Sequence, residues 1–512
     1  MTPHNVSRRG VLQGLVGAGV ALSFAGLASA DEDGTVQYLV VGGDGIARRV
    51  ADAGYEVRQE LADGGVLIVY APPGVADEIG GLRGVQHAER DLQFTLERPE
   101  AEVSKEETDE EVEAPTLYDD FLWDKQVTES LEANQVATGD GSSIAIIDTG
   151  ISYIHPDLLP NLQTEDGRRF KNGFIDSGEE DDIVVGRPLE EDDEDENDDE
   201  DDPDFDIDFV TQHVAADVEG HGTHVGGIAA ASADEGFDGT GVLGTAPDAD
   251  LVSFRVFWWI EDDDEPEGWA PTTTTGDVLA AIDYAAEKGY DAANLSLGTA
   301  PLPPEVNREP FVRAYKRVVE SAVQDGTVVC ASAGNAATDL QRGGLFSLPN
   351  SIRGSMSISA TAPNDELSFY SNFGTNEIDV GAPGGGYETL EKTNIEDPNE
   401  VDWPFPLNLV FSTTDPLVEG APYGWKAGTS MAAPQVAGLV ALVRELDPDA
   451  GARQVENAIK QGAEGATGRS SEELGAGRIN ALNTVESLAD GGNGGNGGGG
   501  NGSGGNDSGG NN

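Results

Sequence analysis

Three short segments of this 512-residue chain carry side chains that could together perform acid–base and nucleophilic chemistry. Asp148 opens an Asp-Thr-Gly segment directly after the apolar run 144–147, so its carboxylate could orient an imidazole. His221 has glycines on both sides, which permit close backbone approach at a helix start and leave the imidazole exposed. Ser430 opens an apolar helical segment, where a serine is either a nucleophile or a helix cap.

Other residues that could do chemistry give weaker signals. His224 follows His221 by three residues, which could suggest a metal pair, but the motif contains no third ligand. Cys330 is the single cysteine, which excludes an intrachain disulfide and argues against a cysteine-based metal site. It lies within an apolar strand, so we expect a small buried hydrophobic side chain. Pro434 is predicted in about the first turn of the Ser430 helix, where its missing N–H costs little.

Strands and helices alternate from about residue 117 to 489, and this pattern predicts an α/β fold with a parallel sheet. The short, wholly apolar strands are those expected of a sheet buried on both faces. Such sheets place functional residues at the carboxyl ends of their strands. The predicted strands are 144–147, 251–256, 292–297 and 327–331, and the predicted helices are 276–288, 309–324 and 430–446.

Together the three motifs resemble the subtilisin-like serine proteases (subtilases), in which Asp, His and Ser follow one another in this chain order. The resemblance covers most of 117–485 and implies a serine endopeptidase with a subtilisin-like three-layer fold and a mostly parallel central sheet. It also implies a small α+β propeptide domain before the catalytic domain. Further segments that match the family pattern are His155–Leu158, Gly241–Pro247, Asn294–Gly298, Ala331–Asn335 and Gly475–Asn480.

The resemblance implies a role for each matching residue. His221 would accept the proton of Ser430, while Asp148 would hold the imidazole and stabilise its charged form. Asn335 would bind the oxyanion of the tetrahedral intermediate together with the Ser430 backbone N–H. Ser296, Leu297 and Gly298 would form the edge strand that pairs with the substrate backbone. The alternative is a catalytically inactive subtilase that acts as a binding module.

The family commonly binds structural calcium through oxygen ligands. Asp157 matches a family ligand because it stands in the His-Pro-Asp-Leu segment. Asp238 lies in a loop that corresponds to a second ligand segment but is longer here than the family pattern, and Asp120 is a third candidate. The resemblance implies no organic cofactor.

Composition shifts divide the chain into further parts. Residues 31–97 form a compact αβ pattern that resembles the propeptide inhibitor of subtilases, although an accessory domain remains an alternative. The acidic segment 98–116 is predicted to be a linker, and self-cleavage is expected within about 98–118. The catalytic domain is predicted over 117–489, and residues 490–512 form a tail of small polar residues with nothing to bury.

The first 30 residues resemble a twin-arginine signal, with Arg8 and Arg9 before an apolar stretch and Ala28-Ser29-Ala30 as a cleavage site. A general secretory signal or an uncleaved anchor is the alternative. We therefore expect a secreted monomer that passes through the export machinery and does not span a membrane in its mature form. Its expected partners are protein and peptide substrates and its own propeptide.

The formal net charge is −66, from 29 basic and 95 acidic residues, which excludes the usual basic kind of nucleic-acid-binding protein. A carboxylate-rich surface with few lysines favours a protein of concentrated salt, where like charges are screened within ~3 Å at ~1 M. The subgroup it most resembles is the halolysins, the secreted proteases of salt-loving archaea, although its Gly/Asn tail departs from them. Residues 179–208 hold 19 acidic residues and are predicted to be a charged surface insertion, with a weak cation site or an effect on substrate access as alternatives.

Overall fold

The structure, a computed structural model, describes residues 24–27, 34–96, 101–104, 121–188, 205–232, 241–261, 269–342, 344–465 and 471–491. Most of the predicted signal peptide, most of the linker, the centre of the acidic insertion and the tail after 491 lie outside the described residues. Of the predicted signal, the structure describes only Phe24–Leu27, a short strand that pairs with Leu92–Thr95.

The N-terminal part is a four-stranded antiparallel sheet with two short helices. The elements of this part of the chain, in order, are β1 Phe24–Leu27, β2 Val36–Gly42, α1 Ile46–Asp52, β3 Glu56–Leu61, β4 Val66–Ala71, α2 Ala76–Gly80, β5 Val85–Arg90, β6 Leu92–Thr95 and β7 Ala101–Ser104. The strands β1, β6 and β7 belong to other sheets. The sheet order is β3-β4-β2-β5, so the two most apolar strands lie at its centre.

Both faces of this small sheet are buried, although it carries helices of its own on only one of them. Successive side chains of a strand point to opposite faces. One face packs its residues, such as Tyr38 and Val40, on α1 and α2. The other face, with Leu39 and Ile68, belongs to the main core of the molecule. The large domain therefore supplies the layer that the small domain lacks.

The described part of the large domain begins at Phe121. Its first elements are α3 Trp123–Val127, α4 Ser130–Ala133, β8 Ser143–Asp148, β9 Arg168–Lys171, β10 Phe174–Asp176, β11 Glu179–Pro188, β12 Phe205–His213, α5 His221–Ala230, β13 Asp250–Arg255, β14 Trp258–Glu261, β15 Trp269–Thr274, α6 Thr275–Lys288 and β16 Ala292–Leu295. After a 3₁₀ turn at Pro304–Arg308 come α7 Pro310–Asp325, β17 Val328–Ser332, β18 Ser355–Thr361, β19 Val380–Pro383, α8 Leu390–Thr393, β20 Val410–Thr413, β21 Tyr423–Ala427, α9 Thr429–Leu446, α10 Ala452–Gly462 and α11 Ala481–Gly491.

The centre of the large domain is an eight-stranded sheet in the order β10-β9-β13-β8-β16-β17-β18-β19. Every neighbouring pair is parallel except β10 and β9 at one edge. Strands such as Ile144–Ile147 are buried on both faces, as their apolar runs predict. The α/β fold with a mostly parallel central sheet is thus confirmed, and the predicted strands and helices end within two residues of the observed bounds.

Local sequence features set the ends of α6 and α7, the two helices on which the small domain packs. Thr274 accepts a hydrogen bond from the backbone N–H of Asp277 and caps the start of α6, and Gly289, in the left-handed region, caps its end. Pro310 stands at the first position of α7, where its fixed φ suits a helix start. Both features are visible in the sequence before any tertiary contact is known.

Two segments have more regular structure than the sequence predicts. The interpretation of 98–116 as a plain linker is incomplete, because Ala101–Ser104 is a strand that pairs with β21 of the large domain. The prediction of a charged loop over 179–208 is also incomplete, because β11 and β12 form an antiparallel hairpin. Both arms of that hairpin contain β-branched or aromatic residues between their acidic ones, and such residues favour strands.

Candidate active site

The candidate residues meet at one edge of the central sheet. Asp148 is the last residue of β8, Ser296 directly follows β16, and Asn335 lies three residues after β17. These three strands are neighbours and parallel, so their carboxyl ends lie together. The helices α5 and α9, which begin with His221 and with Thr429-Ser430, have their N-termini at the site.

Asp148 and His221 form a buried pair. Nδ1 of His221 lies 2.7 Å from Oδ1 of Asp148, and both side chains are fully buried. The same carboxylate oxygen accepts a hydrogen bond from the backbone N–H of Thr149 at 2.8 Å, which fixes its orientation. Burial alone would lower the pKa of His221, but the Asp148 charge and hydrogen bond and the Glu219 charge outweigh burial and raise it.

The burial of His221 corrects the prediction of an exposed imidazole. Its side chain has no exposed surface, and the charged side chains of Glu219, Lys426 and Glu102 lie close enough to interact with it electrostatically. The glycines beside it have the predicted role. A Cβ on Gly222 would lie 2.1 Å from the carbonyl oxygen of Gly150, so only glycine lets the helix approach the Asp148 loop.

Asp217, which the sequence analysis did not single out, holds the start of the His221 helix. Its Oδ1 accepts from the backbone N–H of Gly220 at 2.8 Å and from the Thr149 hydroxyl at 2.7 Å. Its Oδ2 accepts from the backbone N–H of Thr223 at 2.8 Å. Asp217 therefore joins the loop after β8 to the first turn of α5. An acidic residue just before a helix start is the sequence signal that could have identified it.

Ser430 is the second residue of α9, and Pro434 lies in the second turn rather than the first. In an α-helix the N–H of residue 434 would bond the carbonyl of residue 430. Proline has no N–H, and the Ser430 carbonyl instead accepts a hydrogen bond from the Ser296 hydroxyl at 2.7 Å. The missing helical bond is thus replaced by one that joins α9 to the end of β16.

The Ser430 hydroxyl does not bond to His221 in this structure. Its Oγ donates to the backbone carbonyl of Ser296 at 3.1 Å. Among the described residues, Nε2 of His221 has no hydrogen-bond partner. Nε2 of His221 is therefore left to accept a hydrogen bond, while the Ser430 hydroxyl points away from it. Such an arrangement is common in sites without bound substrate.

Asn335 lies beside Ser430, almost completely buried at 7% exposure. Its Oδ1 accepts from the backbone N–H and the hydroxyl of Thr429, at 2.9 and 2.8 Å. Both of these bonds use the carbonyl end of the amide, so the Nδ2 end is left to donate to another group. The backbone N–H of Ser430 is also one of the first four of its helix, which have no intrahelical acceptor.

The predicted substrate-binding segment already makes hydrogen bonds within the molecule. The Ser296 hydroxyl donates to the Ser430 carbonyl, and the Ser296 carbonyl accepts from the Ser430 hydroxyl. Leu297 is 3% exposed. A Cβ on Gly298 would lie 2.9 Å from the carbonyl oxygen of Leu348, which accounts for glycine at this position. The segment lies next to the candidate nucleophile, at the carboxyl end of β16.

Of the three candidate calcium ligands, only Asp157 is among the described residues. It is fully buried, and its Oδ2 accepts from the backbone N–H of Val242 at 2.7 Å and from the Tyr423 hydroxyl at 3.0 Å. Asp120 and Asp238 lie outside the described residues. The described part of the chain contains no group of three His, Cys, Asp or Glu side chains that could hold a metal ion.

A charged cluster near His221 was also missed by the sequence analysis. Nζ of Lys426 lies 2.9 Å from Oε1 of Glu419 and 2.5 Å from Oε1 of Glu102. A Cβ on Gly220 would lie 1.9 Å from that same Glu419 oxygen, so glycine leaves the space that Glu419 fills. Glu102 and Gly220 are far in the sequence from Glu419 and Lys426, and no local pattern brings them together.

The chain belongs to the subtilase family of serine proteases. The model of that family matches residues 139–477. The chain is 30% identical over 372 residues to the thermophilic serine proteinase of Bacillus sp. (strain AK1), and the match covers 72% of this chain and 68% of that protein. It is 32% identical over 360 residues to an extracellular protease of Xanthomonas campestris, and this match covers 69% of this chain and 53% of that protein. The chain is therefore a subtilisin-type serine peptidase.

The fold is shared with solved proteases of the same class. The epidermin leader peptide processing serine protease of Staphylococcus aureus superposes with a TM-score of 0.62 at 20% identity, and the match covers 88% of this chain and 98% of that one. At this identity the likeness shows the fold alone. Within the described part of the chain, no helix is long and apolar enough to cross a membrane.

Proposed function

We propose that this chain is a secreted serine endopeptidase that is made as a self-processed precursor, acts as a monomer and is adapted to high salt. The observation that carries the proposal is the buried 2.7 Å pair of His221 and Asp148, at the same sheet edge as Ser430 and Asn335. A paired imidazole whose second nitrogen is open, next to a serine at a helix start, suits nucleophilic attack on a carbonyl.

In the proposed reaction, the Ser430 hydroxyl turns from the Ser296 carbonyl to Nε2 of His221. His221 takes the hydroxyl proton as Oγ attacks the scissile carbonyl, and Asp148 stabilises the imidazolium that forms. The oxyanion receives hydrogen bonds from Asn335 and from the Ser430 backbone N–H. His221 then returns the proton to the leaving amine, and water hydrolyses the acyl-enzyme by the same route.

The support for self-processing comes from the direction of β7. This strand runs antiparallel to β21, with Ala101 opposite Ala427, and β21 leads directly into Ser430. The first residue of β7 therefore lies at the end of β21 that leads into Ser430. On the other side, the backbone of Leu96 bonds Pro271 at 2.9 Å. We propose that the bond cleaved in maturation lies between Leu96 and Ala101, a stretch that spans at most about 17 Å.

Replacement of the nucleophile tests both the peptidase and its self-processing. The full chain with Ser430→Ala is expected to remain a precursor and to hydrolyse no casein, because no group then forms the acyl-enzyme. The unsubstituted chain is expected to yield a mature N-terminus at one of residues 97–101, measured by mass spectrometry.

Labelling separates the active enzyme from an inactive binding module. A serine-directed fluorophosphonate is expected to label the natural chain at Ser430 and to leave the Ser430→Ala chain unlabelled. Processing of the Ser430→Ala chain at the same rate would contradict self-cleavage, and casein hydrolysis by that chain would contradict the role of Ser430.

Secretion and salt adaptation rest on different features. The paired arginines and apolar stretch before residue 31 support export, and relatives include a protein named extracellular protease. The net charge of −66 supports a medium of concentrated salt, as in the halolysin-type proteases. We expect the purified enzyme to lose activity on dialysis to low salt and to elute as a monomer in high salt.

Calcium remains part of the proposal through Asp157. Calcium takes 6–8 oxygen ligands, and Asp157, the one candidate ligand among the described residues, is already engaged by Val242 and Tyr423. The other ligands would come from Asp120, Asp238 and backbone carbonyls near them. If calcium binds here, a chelator lowers the melting temperature of the natural chain by several degrees and has little effect on Asp157→Asn. An equal effect on both chains would place the ion elsewhere.

A further inference from the structure

The strand β7 occupies the edge of the active site with a fixed direction. It forms the third strand beside β20 and β21, and its chain runs away from Ser430 as residue number increases. In a peptide that is held in this position, the residues that follow the cleaved bond lie next to β21. The segment Ala101–Ser104 therefore shows how the leaving-group half of a substrate would pair with the enzyme.

Glu102 makes the charged contact in this position. Its Oε1 lies 2.5 Å from Nζ of Lys426, whose side chain is only 2% exposed. Glu102 itself is 44% exposed, so the carboxylate enters from the surface to meet a buried ammonium group. Lys426 stands four residues before Ser430 on the strand that leads into the nucleophile.

The groups around Lys426 are two other carboxyls and two histidines. Glu419 pairs with Lys426 at 2.9 Å, and Glu219 accepts a hydrogen bond from the backbone N–H of His221 at 2.9 Å. Burial raises the pKa of Glu219, and it raises that of Glu419 to about 8 against the opposing effect of Lys426. Burial also lowers the pKa of His224, so this histidine is neutral.

Burial alone would lower the pKa of Lys426, but the charges of Glu102, Glu419 and Glu219 outweigh burial and raise it. Lys426 is therefore the permanent cation of the cluster. Removal of β7 takes away one of the two close ion-pair partners of Lys426 and uncovers its ammonium group. Both remaining carboxyls already have bonds of their own, so the donor position left by Glu102 is available to an acceptor on the substrate.

We propose that Lys426 is a specificity-determining residue that selects peptide substrates with an acidic side chain on the carboxyl-terminal side of the cleaved bond. The acidic side chain takes the position of Glu102, and its carboxylate accepts a hydrogen bond from Nζ of Lys426. This inference rests on the proposed function, because it takes Ser430 as the nucleophile and requires β7 to leave before a substrate can enter.

The test uses the active enzyme that the full chain yields, with its active sites counted by fluorophosphonate labelling. Matched peptides carry Glu, Gln or Lys in turn at each of the first six positions after the cleaved bond. We expect kcat/KM to be about tenfold higher for Glu than for Gln at one of these positions, since charge-assisted hydrogen bonds are worth more than neutral ones. The Lys peptide is expected to be the poorest there.

The variant Lys426→Met keeps the length of the side chain and removes its charge. It is expected to bring the Glu-to-Gln ratio close to one. This ratio is independent of any change in the basicity of His221, because both peptides meet the same imidazole. Lys392→Met is the matched control, since Lys392 pairs with Glu388 at the surface and is expected to keep the full ratio.

A second variant keeps the inference testable if Lys426→Met does not fold. Lys426→Arg retains the cation and is expected to retain a preference for Glu over Gln. Equal rates for Glu and Gln at all six positions in the natural enzyme would overturn the inference, as would a ratio unchanged in Lys426→Met or a preference for Lys. Failure of the enzyme to cleave any peptide would instead contradict the proposed function.

Discussion

At the scale of single residues, the two ends of the Asn335 amide have different hydrogen-bonding roles. The Oδ1 end holds the start of α9 through Thr429, and the Nδ2 end is left to donate to another group, which we propose is the oxyanion. The same division applies to Ser430, whose carbonyl joins α9 to Ser296 while its hydroxyl is the candidate nucleophile. Residues of this site therefore fix each other's positions before a substrate arrives, which lowers the reorganisation that the reaction requires.

Asn335→Ala is expected to lower kcat by roughly 10²–10³, the magnitude known for loss of this donor in subtilisins, with a small change in KM. The reason is that the oxyanion forms only after attack, so its donor acts on the transition state more than on substrate binding. Steady-state kinetics on a peptide substrate measure both constants. Asn364→Ala, at an exposed asparagine, is the matched control. A loss of less than tenfold would contradict the oxyanion role.

At the scale of elements, the small N-terminal sheet lies on α6 and α7, with acidic side chains at both helix starts. Oδ2 of Asp91 accepts from the backbone N–H of Gly276 at 2.8 Å, and Glu89 accepts from that of Phe311. Negative groups stabilise helix N-termini. Burial nevertheless prevails and raises the pKa of Asp91 to about 7 and that of Glu89 to about 8.

These shifts predict that the small domain binds most tightly at acidic pH. A carboxyl group whose pKa is raised on association favours the complex when protonated. The benefit is complete below the pKa of the free group, near 4, and is lost as the pH rises through about 7 for Asp91. We expect the cleaved N-terminal fragment to co-elute with the catalytic domain at pH 5 and to bind roughly 10- to 1000-fold more weakly at pH 8.

Asp91→Asn imitates the protonated carboxyl and is expected to remove the share of this pH dependence that Asp91 contributes, while the share of Glu89 stays. Asp77→Asn, at an exposed position of the same domain, is expected to leave the dependence unchanged. Size-exclusion chromatography of the processed full chain at a series of pH values measures the bound fraction. Equal pH dependence in the Asp91→Asn chain and the natural chain would contradict the assignment to Asp91.

At the scale of the whole molecule, the acidic insertion interrupts the sequence between two candidate catalytic residues without separating them in space. It separates Asp148 from His221 along the chain, yet these residues are in contact. The insertion leaves and re-enters the domain at one place, where the backbone N–H of Val214 bonds the carbonyl of Gly178 at 2.9 Å. A hairpin with adjacent ends can be shortened without moving the residues on either side.

Replacement of residues 181–211 by a two-residue Asn-Gly turn is expected to keep kcat/KM within about threefold of that of the natural enzyme in high salt. The salt dependence of the melting temperature is expected to weaken only slightly, because most of the net charge of −66 lies outside the insertion. Peptide hydrolysis and thermal unfolding over a range of salt concentrations measure the two effects. Loss of activity in a folded variant would give the insertion a role in substrate access.

The sequence by itself determined the strands and helices whose ends carry Asp148, His221 and Ser430, while the roles of these three residues were predicted from the resemblance to the subtilases. It could do so because apolar runs, caps and glycines act within a few residues of each other. Only the tertiary structure decided that Lys426 meets Glu102, that Asp217 holds the His221 helix, and that the small sheet buries its second face on α6 and α7. These contacts join residues far apart in the chain, and their burial and charge depend on neighbours that no local pattern specifies.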